Sequence, residues 1–333
     1  MSDGVEKVHK LITIGIPCYN EQDNIKAMYA AIVEQIDKLP QYDFEIIFAD
    51  NNSSDSTQDL MREIAQNDKR VKIILNQTNF GPNRSSVNCY RNSSGDAYIG
   101  IPCDFQEPPE MIPQFIRGWE NGYDIVWGQK VQSEENRIKY LLRKIYHKII
   151  RLMSDYSQPE QITGFGLMGR NVIDTLLYTQ LQDPYYNATN LVFEYGFNVM
   201  LIPYKQNRRA RGKSSYNMSR HFDFAITSLC NTSTKPLHLI TLLGCMLSVL
   251  CLIISIVYFV YKIVNWDNFS VGMAPIVVGF FLISGVQLMC IGIIGEYISV
   301  VIRRVTRRPL VIEKEKINFS SEEEKAKDEN RNW

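Results

Sequence analysis

Four polar segments in the first third of the chain carry residue types suited to one chemistry. They are Pro17-Cys18-Tyr19-Asn20-Glu21, then Asp50-Asn51-Asn52-Ser53-Ser54-Asp55-Ser56-Thr57, then Asn79-Phe80-Gly81. The fourth is Pro102-Cys103-Asp104-Phe105-Gln106-Glu107-Pro108-Pro109-Glu110. An Asp at a strand end, such as Asp50, accepts hydrogen bonds from a base N–H or a ribose hydroxyl. Asp104 and Gln106, two residues apart, offer oxygen ligands to a hard divalent ion that also grips phosphates. Any one of these segments alone reads as a turn. Four in order fit a nucleoside diphosphate with Mg2+ or Mn2+.

The elements that must position them alternate in type. Leu11–Ile16, Phe44–Ala49, Val71–Leu75, Ala97–Ile101 and Asp124–Trp127 are short apolar runs of strand character. Helical patterns from Asn24 to Leu39 and from Thr57 to Asn67 lie between them. Such alternation predicts an α/β domain with a mostly parallel, Rossmann-like sheet covered by helices on both faces. In that architecture ligands bind beyond the carboxyl ends of the strands, where the four polar segments fall.

The chain of 333 residues carries 36 basic and 36 acidic side chains. A formal charge of zero argues against a general nucleic-acid binder. The seven cysteines are odd in number and show no C-x-x-C spacing, so neither a disulfide framework nor a zinc site is indicated. Residues 236–261 and 268–295 contain no Asp, Glu, Lys or Arg. Each run exceeds the roughly 20 apolar residues that cross a bilayer core. Arg208, Arg209, Arg211, Lys213, Arg220 and Lys235 precede the first run, and Arg303, Arg304, Arg307 and Arg308 follow the second. The intervening loop carries one Lys, so both ends of a two-helix hairpin are expected in the cytosol. Residues 135–155 form a basic amphipathic pattern, which serves equally as an interfacial helix or as an ordinary core-facing one. After Pro309 the mixed charges read as a solvated, disordered tail.

The order P-x-Y-N-E, D-x-x-S-x-D-x-T, N-F-G and D-x-Q-x-P-P-E resembles the inverting family-2 glycosyltransferases with a GT-A fold. Arg209-Ala210-Arg211-Gly212-Lys213-Ser214-Ser215-Tyr216 is similar to the R-x-x-G-x-S-K-Y segment of polyprenyl-phosphate glycosyltransferases. Gly292-Ile293-Ile294-Gly295-Glu296-Tyr297-Ile298, with Arg308-Pro309 beyond it, resembles the ending of the two-span branch. That branch includes bactoprenol glucosyltransferases and relatives of dolichol-phosphate mannose synthase. The resemblance covers about residues 9 to 312.

The resemblance implies a hexosyltransferase of the bacterial inner membrane that moves sugar from a nucleotide sugar to a polyprenyl phosphate. A UDP-sugar is favoured and a GDP-sugar is the alternative donor. The product would serve cell-envelope glycans such as lipopolysaccharide or O-antigen. It implies Pro17, Tyr19, Glu21, Asp50, Asn79, Gly81 and Asp104 at the nucleotide sugar, and Asp104 with Gln106 at the metal. Arg209, Lys213 and Ser214 would meet the acceptor phosphate, with Asp104 and Arg209 as the catalytic pair. The implied divisions are a tail at 1–8, a GT-A domain at 9–215 and a juxtamembrane helix at 216–235. Spans at 236–261 and 274–300 follow, joined by an extracytoplasmic loop at 262–273, with a cytosolic tail at 301–333. A homo-oligomer is left open.

The chain departs from the family pattern at four places. Pro102 replaces the first Asp of D-x-D, Asn51 the second Asp of D-D-G-S, and Ser215 the expected Lys. Gly164-Phe165-Gly166-Leu167 stands where D-F-R-L is common. Gly164 to Gly169 also satisfies G-x-G-x-x-G, but a poor strand precedes it, and a flexible loop beside the reaction centre is expected instead of a dinucleotide site. Glu194, Asp183 and Glu296 read as structural. Two other functions stay open: transfer to a lipid-linked glycan, and a non-catalytic nucleotide-binding scaffold.

Overall fold

The computed structural model describes residues 9–132, 161–182, 188–207, 235–264, 273–306 and 309–320. They fall into two compact units, one built on a sheet and one containing the two long C-terminal helices.

The first unit begins with strand β1 (Lys10–Cys18), helix α1 (Ile25–Ile36), β2 (Tyr42–Asp50), α2 (Thr57–Asn67) and β3 (Val71–Asn76). Next come α3 (Pro82–Arg91), β4 (Ala97–Gly100) and, after a 3-10 turn, α4 (Ile112–Glu120). β5 (Ile125–Gln132), β6 (Ile162–Gly169), α5 (Arg170–Gln182), α6 (Ala188–Glu194) and β7 (Val199–Lys205) follow. With β8 (Glu313–Ile317) these strands form, among the described residues, one eight-stranded sheet in the order β7-β5-β6-β4-β1-β2-β3-β8. β1 pairs in parallel with β2 and β4, and β2 with β3, as strand–helix alternation requires. Period-two alternation sends Ile12, Ile14, Ile16 and Cys18 into a core shared with Met28 and Ile32 of α1, Met61 of α2 and Phe115 of α4. The opposite face packs Tyr98 and Trp127 with Cys89 of α3, Val172 and Leu176 of α5, and Leu191 of α6. Gly15 is fixed by this second core, since a Cβ there would lie 2.1 Å from the Tyr98 hydroxyl.

Two expectations are corrected. The Gly164–Gly169 segment is not a flexible loop but lies in strand β6, antiparallel to both β4 and β5. Its glycines suit that place: a Cβ on Gly166 would meet the Val126 carbonyl oxygen at 2.2 Å. The charged stretch after Pro309 is not wholly a solvated string either. Glu313–Ile317 forms strand β8, antiparallel to β3 at the sheet edge.

In the second unit, α7 (Lys235–Val264) and α8 (Met273–Val305) match the two apolar runs. Among the described residues one segment, Ile283–Ile302 within α8, is long and apolar enough to cross a membrane, and 6% of it is buried.

Candidate active site

The polar segments come together at the carboxyl ends of β1, β2, β3 and β4. The first two loops are stitched by side chains of the D-x-x-S-x-D-x-T segment. The Asn20 amide donates to Ser53 Oγ at 2.8 Å, and Asn20 Oδ1 accepts the Ser54 amide at 2.9 Å. The Glu21 amide donates to Thr57 Oγ1 at 2.9 Å, and Asp55 accepts the amides of Gln22 and Thr57. The spacing of the segment therefore has a mechanical reason, because each polar position closes a turn or ties one loop to the other. Asn20 and Asn52 adopt left-handed φ of 55° and 61°, which Asn tolerates better than most residues.

Asp50 is fully buried at the end of β2. Its carboxylate accepts the Ser53 amide at 2.9 Å, the Ser53 hydroxyl, and Gln58 Nε2 at 2.6 Å. A carboxylate offers about four lone-pair sites, so three donors leave one. Asn51 donates from Nδ2 to the Gly81 carbonyl at 3.3 Å and accepts Asn76 Nδ2 at 2.9 Å. An Asp at this position could not make the first bond. Gly81 holds φ +87° at the start of α3, and its amide donates to Asn79 Oδ1 at 2.9 Å. Glu21 is buried and accepts Asn24 Nδ2 at 2.6 Å, whereas Tyr19 and Asn79 are exposed and Pro17 is half-buried.

The fourth loop leaves β4 through Pro102. Asp104 Oδ1 accepts the Gln106 amide at 3.1 Å, and Phe105 between them has φ 59°. A bulky residue there is strained by about 1–3 kcal/mol, the kind of cost found where surroundings over-determine a functional loop. Cys18 and Cys103 lie buried beneath the loops with their thiols in contact, and burial pushes the Cys18 thiol well up, which makes it inert. Among the described residues no group of three His, Cys, Asp or Glu forms a metal cluster. Asp104 and Gln106 are nevertheless hard oxygen donors of the type that Mg2+ and Mn2+ accept, and two such donors suit an ion that also takes ligands from a diphosphate.

Glu107, which sequence reasoning did not single out, is buried and accepts the Tyr204 hydroxyl at 3.3 Å. Burial, reinforced by the neighbouring Asp104 charge, pushes its carboxyl up to about 7. Its signal was an acid inside the quoted D-F-Q-E-P-P-E run; Tyr204 had none. The Asn207 amide donates to the Gln106 carbonyl at 3.0 Å, tying the end of β7 to the Asp104 loop. Arg209, Lys213 and Ser214 lie outside the described residues, as do Asp183 and the basic segment 135–155. Glu194 ends α6, half-buried.

Comparison with known proteins gives a consistent assignment. Residues 13–177 match Glycosyl transferase family 2, and residues 235–301 match the GtrB C-terminal hairpin. CsbB of Bacillus subtilis (strain 168), which its name places provisionally among glycosyltransferases, is 30% identical over 92% of this chain and 92% of its own. A bactoprenol glucosyl transferase derived from the SfII prophage of Shigella flexneri is 27% identical over 90% of this chain and 96% of its own. Glucosyl-3-phosphoglycerate synthase from Mycobacterium tuberculosis overlaps 68% of this chain and 78% of its own, at TM-score 0.48 and 16% identity. With residues 13–177 matching that family and CsbB 30% identical along 92% of the chain, the chain belongs to glycosyl transferase family 2.

Proposed function

We propose that this enzyme is a membrane-anchored inverting glycosyltransferase that moves a sugar from a nucleotide sugar to a polyprenyl phosphate at the cytosolic face. The observation that carries the reading is the bond from the Asn207 amide to the Gln106 carbonyl. It ties the Asp104–Gln106 loop to the chain two residues before Arg209.

The chemistry follows from charge. A phosphomonoester has a second pKa near 6, so the lipid phosphate is already anionic at neutral pH and needs no general base. One of its oxygens attacks the anomeric carbon as the bond from that carbon to the diphosphate oxygen breaks. The nucleoside diphosphate departs with the electron pair, and the configuration inverts. A divalent ion held by Asp104 and Gln106 would supply neutralisation of the charge developing on that leaving group. Asp50 orients the nucleoside, and contact requires its one remaining acceptor site or displacement of Gln58. Glu21 and Tyr19 rim the pocket, Pro17 shapes the turn beneath them, and Asn79 and Gly81 border it from the β3 side. Arg209 brings a bidentate fork to the acceptor phosphate, with Lys213 as a point charge and Ser214 as a donor.

In this reading both chain ends face the cytosol, which the basic residues flanking the two apolar runs support. An acceptor that already bears a glycan is a second reading. It is favoured by Gly164 at the site end of β6, where an added Cβ would meet nothing within 4 Å.

The full-length enzyme in lipid vesicles, offered a panel of UDP- and GDP-sugars with polyprenyl phosphate, should yield one glycosyl phospholipid by mass spectrometry. Product only from a lipid-linked glycan would select the second reading, and no product from either would overturn both. A crossed test divides the site. Arg209→Ala should weaken the dependence on lipid phosphate about tenfold or more while calorimetric affinity for the nucleotide stays nearly unchanged, and Asp50→Ala should do the reverse.

A further inference from the structure

Behind the loop that borders the donor pocket on the β3 side lies a pair of buried amides that the mechanism above does not use. Gly81 joins that loop to α3 with φ +87° and ψ 163°, a backbone region essentially confined to glycine. Packing does not fix it, since an added Cβ would meet nothing within 4 Å. Among the described residues three hydrogen bonds do so. The Gly81 amide donates to Asn79 Oδ1 at 2.9 Å, and its carbonyl accepts the Ser85 amide at 3.2 Å and Asn51 Nδ2 at 3.3 Å. Of the three, only the last comes from outside the loop and α3. Asn51 directly follows Asp50, and its own amide is fixed to the Cys18 carbonyl of β1 at 2.9 Å. Its side chain therefore spans from the nucleoside end of the site to Gly81.

The direction of each amide follows from Gly81. A carbonyl can only accept, so it takes the nitrogen of Asn51 and leaves the Asn51 oxygen turned toward Asn76. Asn76 answers with its own nitrogen, at 2.9 Å. Its oxygen then meets no donor among the described residues, although Asn76 is fully buried at the end of β3. An unmet buried acceptor costs stability that an apolar residue would not, so what Asn76 contributes is its nitrogen. The end of β3 is itself held, because the Gln77 amide donates to the Ile312 carbonyl at 2.8 Å.

We propose that Asn51, oriented by Asn76, is a positioning residue of the donor pocket. By gripping the Gly81 carbonyl it fixes the Asn79–Gly81 loop relative to Asp50, and so sets the affinity for a nucleoside diphosphate. The inference rests on the donor site proposed above and deepens it. Both side chains are buried, and the groups they share are turned to one another and to Gly81, so the pair acts on the nucleotide through the loop. It acts on donor binding and leaves the encounter with the lipid phosphate alone.

Asn51→Asp keeps the shape and the acceptor that Asn76 needs, but sets a carboxylate oxygen against the Gly81 carbonyl. In the full-length enzyme the calorimetric Kd for UDP should weaken about tenfold, and KM for the nucleotide sugar should rise with it. KM for polyprenyl phosphate should stay within about twofold. Asn76→Leu adds no charge, so it separates loss of the relay from repulsion of the diphosphate; it should weaken UDP about threefold. Asn51→Ala combined with Asn76→Leu should be no worse than Asn51→Ala alone. Hydrogen exchange at the Gly81 amide should quicken in every variant. Unchanged UDP affinity in Asn51→Asp, unchanged UDP affinity in Asn76→Leu, an equal rise in both KM values, or unchanged exchange at Gly81 would each overturn the relay. A wild-type enzyme that bound UDP but transferred no sugar would overturn the acceptor reading alone. One that bound neither UDP nor GDP would overturn the donor site and this inference with it.

Discussion

The sheet carries polar clusters at both ends of its parallel strands, and they are built to opposite purposes. Near the amino ends, Thr13 of β1, Glu45 of β2 and Lys72 of β3 form a ladder on one face. Thr13 Oγ1 donates to Glu45 at 2.5 Å, and Lys72 pairs with Glu45 at 2.8 Å. The amides of Ser94 and Gly95 close the cluster at 2.6 and 3.0 Å. All three side chains are buried, and regular strand geometry holds them. At the carboxyl ends the polar groups sit in loops, several are half-buried or exposed, and the backbone is forced. Among the described residues, four of the five non-glycine residues with positive φ, Asn20, Asn52, Phe105 and Gln161, lie at this end. Polarity within a sheet is therefore not a mark of function. A polar cluster that leaves surface open and pays for it in backbone strain is the better mark.

The largest effect separating the two ends should come from the closed cluster. Glu45→Ala leaves Lys72 buried beside an empty position, and breaking such a pair costs roughly 3–5 kcal/mol. Denaturant unfolding of the full chain in detergent should register that loss, while turnover per folded molecule stays close to wild type. If turnover fell as steeply as stability, the ladder would be part of the catalytic end after all. Asp104→Ala should behave oppositely, lowering turnover by about a hundredfold or more with little change in the unfolding midpoint. Full activity of Asp104→Ala in excess chelator would remove Asp104 from the diphosphate site.

The same contrast explains what could be read from the sequence. β1, β2, β3 and β4 stood out because each is an apolar run ending in a polar turn, and Asp50 and Asp104 were visible as acids at those ends. β6 hid behind its glycines. Gly164, Gly166 and Gly169 mimic a loop, yet Gly166 is required by the close approach of Val126 and Trp127 from β5. β8 hid for the opposite reason. Glu313-Lys314-Glu315-Lys316 has no apolar face because its partners are also polar: Asn92 bonds both Glu313 and Lys316, and Arg62 bonds Glu315. Glu107 was passed over because its hydrogen-bond partner, Tyr204, lies 97 residues away, and pairwise contacts of that range leave no mark in one sequence. The carboxyl-end loops were legible as chemistry but not as carpentry. Only the geometry gives Ser53, Asp55 and Thr57 their work as stitches.

The smallest effect concerns the sheet edge, where β8 closes what would otherwise be an exposed strand β3. Arg62 of α2 grips Glu315 through two bonds, of 2.8 and 2.5 Å, with both side chains more than a third exposed. The Arg62 hydrogen bonds hold the Glu315 carboxyl below its ordinary range. A carboxyl lowered in the folded state contributes stability above its unfolded value, near 4.3, and loses it as pH falls through the lowered folded value. An exposed pair is worth about 1 kcal/mol or less, so Arg62→Ala should cost that much at pH 7. The backbone ladder with β3 and the Asn318 side chain, which bonds the carbonyls of Ala65 and Val71 at 2.9 and 2.8 Å, would still hold the strand. The stability gap between wild type and Arg62→Ala should therefore narrow as pH is lowered from 7 to 3, and it should also narrow in high salt. A gap independent of both would mean that Arg62 steadies the edge through the packing of its stem, and that Glu315 contributes to β8 only as a strand residue.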